Sequence, residues 1–238
     1  MHIKKIIESK VKFNTLLNLA SYLGEIKFFI QIGSHDGEMH DPIQNFVLKN
    51  KSAGLLIEPQ IKMLEKCRKK YKSIQNLFFF NAAIYHESKE IKLFKVKKAI
   101  DYSHTGWASI IPDRFEKTVY KENYIFDIVQ GLPLEAVTKK FKIKKIDLLQ
   151  VDTEGYDYNI LKLFNFKLYR PKLIQVEHVH LKSGDLDKAI SLFNQNNYYV
   201  FKKTNDLVAV DKKFLKPIYY LGYFFLRLSE SLSSRFDL

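Results

Sequence analysis

One cysteine in the whole chain removes a class of answers at once. Cys67 has no second cysteine to pair with, so no disulfide framework can form and a reducing compartment is expected. Lys66, Arg68 and Lys69 surround it, which predicts an exposed helix thiol with a lowered pKa. No Pro/Gly/Ser-rich stretch and no charge block divides the 238 residues, and 46% hydrophobic content is enough for one good core. The N-terminus has no uninterrupted apolar run of the signal-peptide kind, because Lys4, Lys5, Glu8, Lys10 and Lys12 break it up. A cytoplasmic protein is the expectation. No internal repeat is visible.

Positive charge is in excess: 39 Lys+Arg against 26 Asp+Glu, a net +13. Such a balance suits a polyanionic partner. The lysines are scattered through every segment of a Lys-, Asn- and Ile-rich chain, however, and give no firm nucleic-acid signal.

Apolar runs alternate with amphipathic stretches from start to end, the pattern of βαβ units around a mostly parallel sheet. The expected order is a helix over 3–23, a strand over 27–32, a helix over 42–51 with Asp41 as N-cap, a strand over 53–57 and a helix over 61–71. A strand over 77–84, an extra strand over 91–96, and a long polar segment over 102–123 follow. The chain then reads as a helix (132–141), strand (145–151), helix (156–164), strand (173–177) and helix (185–196). It closes with an antiparallel hairpin over 198–203 and 207–210. The domain limits are an N-terminal helical segment (1–26), one α/β domain (27–211) and an apolar tail (212–238).

In an open α/β sheet the ligand lies beyond the carboxyl ends of the strands. Here each of those ends carries polar residues or glycine. The first strand runs through Gln31 into Gly33-Ser34-His35-Asp36-Gly37, where the glycines allow a tight bend and close approach to a ligand. The second ends on Glu58, at about the separation from which a carboxylate grips the two hydroxyls of a ribose. The third ends on Asn81-Ala82-Ala83, a polar and small group suited to an adenine ring. The fourth ends on Asp152-Thr153-Glu154-Gly155 directly before a helix, and the fifth on Glu177-His178-Val179-His180. The spacing G-x-x-x-G, with no third glycine, argues against a dinucleotide fingerprint and hence against an NAD-dependent dehydrogenase.

These motifs, in this order, resemble the FkbM-type methyltransferases. The chain shows I-G-x-x-x-G at Ile32 to Gly37, E-P at Glu58-Pro59, N-x-A at Asn81 to Ala83, and Ile146-Asp147-Leu148-Leu149 leading to D-x-E-G at Asp152 to Gly155. The resemblance covers roughly residues 27 to 210. It implies a Rossmann-like class I methyltransferase fold and S-adenosylmethionine (SAM) as cofactor. By the same resemblance Gln31, Gly33, Ser34, His35, Asp36 and Gly37 lie at the methionine part, Glu58 at the ribose, Asn81 and Ala82 at the adenine, and Asp152 and Glu154 at the reacting end. Gln31 stands where many relatives have Asp, and His35 where Asn is usual, so recognition of the amino-acid part would pass to Asp36.

The expected reaction is O-methylation of a hydroxyl on a sugar or other small molecule. Methyl transfer is an in-line displacement, so the protein must align the acceptor and take its proton. His178 or Asp152 is the candidate base. Asp152 and Glu177 could instead hold Mg²⁺, which would acidify the hydroxyl. Trp107, Ser109 and His180 are the candidate acceptor contacts, Trp107 by stacking on a sugar ring. Two other readings compete: a nucleic-acid-modifying methyltransferase, for which the chain has no Asn-Pro-Pro-Tyr-like tetrapeptide, and a non-catalytic nucleotide-binding module. The stretch from Phe214 onward packs apolar residues around Pro217 and Gly222, too short and broken to span a bilayer. It is expected to dock on the domain, on a second copy or on a membrane surface.

Overall fold

The computed structural model describes residues 12–215. The N-terminal part of the expected first helix and the tail beyond Leu215 lie outside these residues. The described chain opens with α1 (Phe13–Tyr22), β1 (Phe28–Ile32), α2 (Gln44–Asn50), β2 (Ala53–Ile57), α3 (Ile61–Lys70) and β3 (Leu77–Phe80). One short strand and two long ones follow, β4 (Ala83–Ile84), β5 (Lys89–Val96) and β6 (Tyr124–Leu132), with 3₁₀ turns at Tyr102–Gly106 and Pro112–Phe115. The remainder is α4 (Leu134–Lys140), β7 (Leu148–Val151), α5 (Asp157–Leu163), β8 (Leu173–Glu177), α6 (Asp185–Gln195), β9 (Tyr198–Lys202) and β10 (Asp206–Asp211). Among the described residues no helix is long and apolar enough to cross a membrane.

Seven strands form the main sheet in the order β3-β2-β1-β7-β8-β10-β9, all parallel except β10, which runs against both β8 and β9. The chain leaves β1 toward β2 and β3, then returns to β7 on the other flank. This doubly wound, Rossmann-like arrangement reverses between β1 and β7, and a ligand is expected at that crevice.

The pleat sends successive side chains to opposite faces, and the register turns this into rows. On one face Phe29, Leu148, Leu173 and Val210 stand opposite one another, packed under Phe13, Leu16, Leu17 and Ala20 of α1 and Phe46 and Val47 of α2. Burying each large side chain in this way contributes roughly 1.5–3 kcal/mol. On the other face Ile30, Leu149, Ile174 and Ala209 meet Val137, Ile160, Leu161 and Phe193 from α4, α5 and α6. The two layers clamp the strands and hold their carboxyl ends in fixed relation.

Four expectations need correction. The run over 77–84 is broken at Asn81-Ala82, and β4 leaves the main sheet for a three-stranded one, β4-β6-β5. β6 occupies the stretch between the polar segment (102–123) and the expected helix (132–141), for which no element was expected, and takes Leu132 from that helix; most of its residues are exposed, so no buried face marks it. Asp41 caps no helix. Its carboxylate accepts from the Ile43 N–H at 2.8 Å, from Gln31 at 3.0 Å and from the Tyr71 hydroxyl at 3.0 Å, and so closes the turn ahead of α2. Cys67 is fully buried on the inner side of α3, and burial pushes its thiol up to about 12 despite the neighbouring cations. It is a small core residue.

Candidate active site

Two residues beyond the apolar row of β1, β7 and β8, the same face changes character. Gln31, Gln150 and Gln175 stand side by side in register, 1%, 3% and 5% exposed, each with its Oε1 lacking a partner. Two residues further, Gly33, Asp152 and Glu177 continue the three columns, and Asp206 of β10 pairs opposite Glu177. All seven residues line one cavity of about 560 Å³ at the switch point. The sheet thus passes from hydrocarbon to amide to carboxylate as it opens to the cavity.

Gly33 is required by contact as much as by conformation. Its φ is +80°, and a Cβ there would fall 1.8 Å from the Asp152 carbonyl oxygen. Glu58, 4% exposed, accepts from the His35 N–H and the Gln60 N–H, both at 2.9 Å, and so ties the glycine turn to the end of β2. Burial pushes its carboxyl up to about 7 against these hydrogen bonds. Ile57, Pro59, Ala82, Ala83 and Ile84 give the wall beside it an apolar surface.

On the β7 side, Asp157, 1% exposed, accepts from the Thr153 and Gly155 N–H groups, both at 3.0 Å, and shapes the turn. Burial pushes its carboxyl up to about 6. The turn puts Glu154 at φ +54° and Gly155 at φ +111°, where a Cβ would meet the His180 carbonyl at 2.9 Å. Glu154 faces Arg114, whose Nε and Nη2 both lie 2.7 Å from its Oε2, while Nη2 lies 3.1 Å from His180 Nε2. Burial raises Glu154 to about 7 although Arg114 opposes the shift. Burial and then Arg114 lower His180 to about 4, so its ring is neutral. Glu177 is pushed to about 10 by burial and then by the charges of Asp152, Glu154, Asp157 and Asp206. Burial, with Asp157, Glu154 and Asp206, raises Asp152 as well.

The long segment after β5 straps the cavity. Tyr102 donates to Asp36 at 2.6 Å, Thr105 Oγ1 lies 3.0 Å from His35 Nε2, and Gln60 donates to the Thr105 carbonyl at 3.1 Å. At its far end Ser109 donates to the Glu154 carbonyl at 2.8 Å, beside Arg114. Trp107 sits on the cavity wall between the His104 ring, 4.2 Å away, and the Arg114 guanidinium, 5.1 Å away.

Of the residues singled out from the sequence, Gln31, Gly33, Ser34, His35, Glu58, Ala82, Trp107, Asp152, Glu154, Glu177 and His180 converge on this cavity. Others do not. Asp36 is committed beneath it, accepting from Tyr102 and from the Glu38 and Met39 N–H groups, which hold it at about 2 against burial. Gly37 abuts the Tyr71 ring and Cys67. Asn81 donates from its side chain to the Glu58 and Pro59 carbonyls and buttresses the turn from outside. Ser109 is a strap anchor. His178 is turned away from the cavity, its Nε2 3.1 Å from the Lys203 carbonyl. Among the described residues the group of three whose potential ligand atoms lie within 4.8 Å of one another is Glu154, Glu177 and His180; it includes Glu177 of the expected metal pair and not Asp152.

Sequence reasoning missed Arg114 and the glutamine row. Arg114 sits in an aperiodic loop, with only its rarity in a lysine-dominated chain as a signal. The glutamines had a better one: Phe-x-Gln, Leu-x-Gln-x-Asp and Leu-x-Gln-x-Glu recur at the ends of three strands.

The sequence profile described as "Methyltransferase FkbM domain" matches residues 31–200. A crystal structure of Methyltransferase FkbM from Methylobacillus flagellatus KT superposes with a TM-score of 0.50 at 12% identity, covering 78% of this chain and 44% of that one. This chain therefore spans under half of that protein, and the likeness shows a shared class I methyltransferase fold. A methyltransferase from Geobacter sulfurreducens gives a TM-score of 0.44 at 12% identity over 88% and 86% of the two chains. The fibrillarin pre-rRNA processing protein of Methanococcus jannaschii gives 0.42 at 8% over 79% and 67%. Among curated proteins no relative matches.

Proposed function

This chain belongs to the FkbM methyltransferase family, and we propose that it transfers a methyl group from SAM to a hydroxyl of a sugar or other small molecule. The observation that carries the reading is the division of one cavity into two unlike halves at the switch point. On the β1–β2 side lie a glycine cradle, a carboxylate and apolar walls; on the β7–β8 side lies a cluster of partly buried acids.

The residues present fit the cofactor. Gly33, at φ +80° against the Asp152 carbonyl, lets the chain turn tightly at the cavity wall, and the unpartnered Gln31 Oε1 is an acceptor for an ammonium group. Each Glu58 oxygen accepts one backbone N–H, and a carboxylate oxygen has a second lone pair to spare for a ribose hydroxyl. Gln31, Gly33, Ser34 and His35 would hold the methionine part, Glu58 the ribose, and Ala82 and Ala83 the adenine. When bound, SAM supplies an electrophilic methyl group on a sulfonium.

The chain's own residues then align the acceptor and take its proton. Asp152 is the base: partly buried and among like charges, it binds a proton more readily than an ordinary carboxylate, the direction a general base needs. His180 accepts from Arg114 through Nε2, and Glu154 is held by the same guanidinium, so both orient the site. Glu177 keeps its proton at neutral pH and can donate to the acceptor. Trp107 offers a flat apolar surface to a sugar ring, and the strap keeps water from the reacting groups.

Incubation with methyl-labelled SAM and a panel of hydroxyl-bearing glycosides and small molecules tests the reading. Label should appear on oxygen and be nearly lost in Asp152→Asn. Label found only on nucleic acid, or SAM binding with no transfer to any acceptor, would replace this function with one of the two competing ones.

A further inference from the structure

The acceptor half of the cavity gathers more carboxyl groups than the chain's own cations meet. Asp152, Glu177 and Asp206 occupy adjacent columns, and among the described residues none of them pairs with a lysine or arginine. The nearest basic side chain to Glu177 is neutral His180, at 3.9 Å. The chain holds 39 Lys+Arg, so the gap reflects where the cations are placed and not how many there are.

A second observation is independent of the acids. Gln150 and Gln175, 3% and 5% exposed, line the same cavity with Oε1 atoms that have no partner; Gln175 also hydrogen-bonds Asp206 through its side chain. Glu177 Oε2 is likewise buried without a partner. A buried acceptor left unpaired destabilises the fold, so this wall is built for a ligand rich in N–H or O–H donors.

Two kinds of cation could answer it. A divalent ion draws its ligands to about 2.0–2.6 Å and therefore close together. The trio compact enough is Glu154, Glu177 and His180, and the Arg114 guanidinium already stands 2.7 Å from Glu154 and 3.1 Å from His180. Asp152, Asp206 and the glutamine oxygens fall outside that trio. A wider donor set suits an alkylammonium, which spreads its charge and three N–H groups over several acceptors.

We propose that the methyl acceptor carries a protonated amine, seated by Glu177, Asp206 and Gln175, with its reacting hydroxyl beside Asp152. This rests on the methyltransferase reading of the cavity and narrows its substrate to amino sugars and other amino alcohols. Because burial and the neighbouring acids push Glu177 up to about 10, seating the amine should release a proton.

The test uses the full chain loaded with S-adenosylhomocysteine (SAH), the product left when SAM loses its methyl. SAH is titrated first by calorimetry, followed by methyl glucosaminide and methyl glucoside, in two buffers of different ionisation enthalpy. The glucosaminide should bind about tenfold or more tightly than the glucoside, with proton release, as expected for hydrogen bonds to a charged group. Glu177→Gln and Asp206→Asn should each abolish that preference while leaving SAH affinity and the thermal midpoint near wild type. Failure of SAH to bind would overturn the methyltransferase reading and the subsite together. With SAH bound, equal affinity for the two glycosides, binding of neither, or a preference that survives both variants would overturn the subsite alone. Tight binding of Mn²⁺, lost in Glu177→Gln, would replace it with a metal site.

Discussion

Replacing Arg114 by methionine removes the guanidinium that pairs with Glu154 on the acidic side of the cavity while keeping side-chain bulk. Arg114 and Glu154 are 10% and 12% exposed, and the contacts at 2.7 Å are direct. Removing one partner of a buried ion pair costs about 3–5 kcal/mol when the other stays charged. Glu154, however, sits at about 7 even with Arg114 present, because burial outweighs the guanidinium. Below that pH it is neutral, and the substitution costs only the hydrogen bonds, about 1–2 kcal/mol. Above it, wild type keeps an ionised pair, whereas the variant must hold Glu154 protonated or bury its bare charge. Each pH unit above 7 then adds about 1.4 kcal/mol until the variant's own higher pKa is reached. Urea unfolding of both proteins at about pH 6 and pH 9 should show the loss growing by roughly 2–3 kcal/mol between them. His180, relieved of the neighbouring cation, should titrate above its present value of about 4 by NMR. An equal loss at both pH values, or an unmoved His180, would refute the pairing.

Gly33→Ala places a Cβ 1.8 Å from a backbone oxygen at φ +80°, so it should destabilise by about 2–5 kcal/mol in urea unfolding and abolish cofactor binding. His178→Ala should leave turnover within a few-fold of wild type, since its ring faces the Lys203 carbonyl, whereas Asp152→Asn should lower kcat by about 10²–10⁴; the reverse ranking would return the base to His178. The ligand-free protein should lose stability as pH rises. Glu58 and Glu154 at about 7 and Asp157 at about 6 all lie above their unfolded values near 4. Between those values the folded state binds more protons than the unfolded chain, so the stabilisation is full below about pH 4 and disappears as pH passes the folded values. Melting curves should show this fall, with a further decline toward pH 10 that Glu177→Gln removes; a midpoint that climbs over the same range would contradict the burial of these acids.

Much of the fold was legible because burial leaves a period. β2 and β8 match the expected residues 53–57 and 173–177, since each is dominated by apolar residues clamped between helices, Ala53-Gly54-Leu55-Leu56-Ile57 in one and Leu173, Ile174 and Val176 in the other. β6 was not legible, because a strand exposed along most of its length has no buried face to impose alternation. At the site, the sequence located the residues at strand ends but not their directions. Asp36 and His178 lie next to cavity residues and yet turn away, because the backbone after each strand sends neighbouring side chains to different sides. Arg114 could not be placed, since its partners Glu154 and His180 lie 40 and 66 residues away and nothing local fixes it there.

Calorimetric titration of the purified chain with SAM and SAH, with NAD as the control, bears most directly on the central claim. One molecule of each sulfur ligand should bind per chain, NAD should not, and Glu58→Ala should weaken SAM by about ten- to a hundredfold, the cost of losing hydrogen bonds to a charged acceptor. Binding of NAD in place of SAM, or SAM affinity unchanged in a folded Glu58→Ala variant, would contradict the assignment of this cavity.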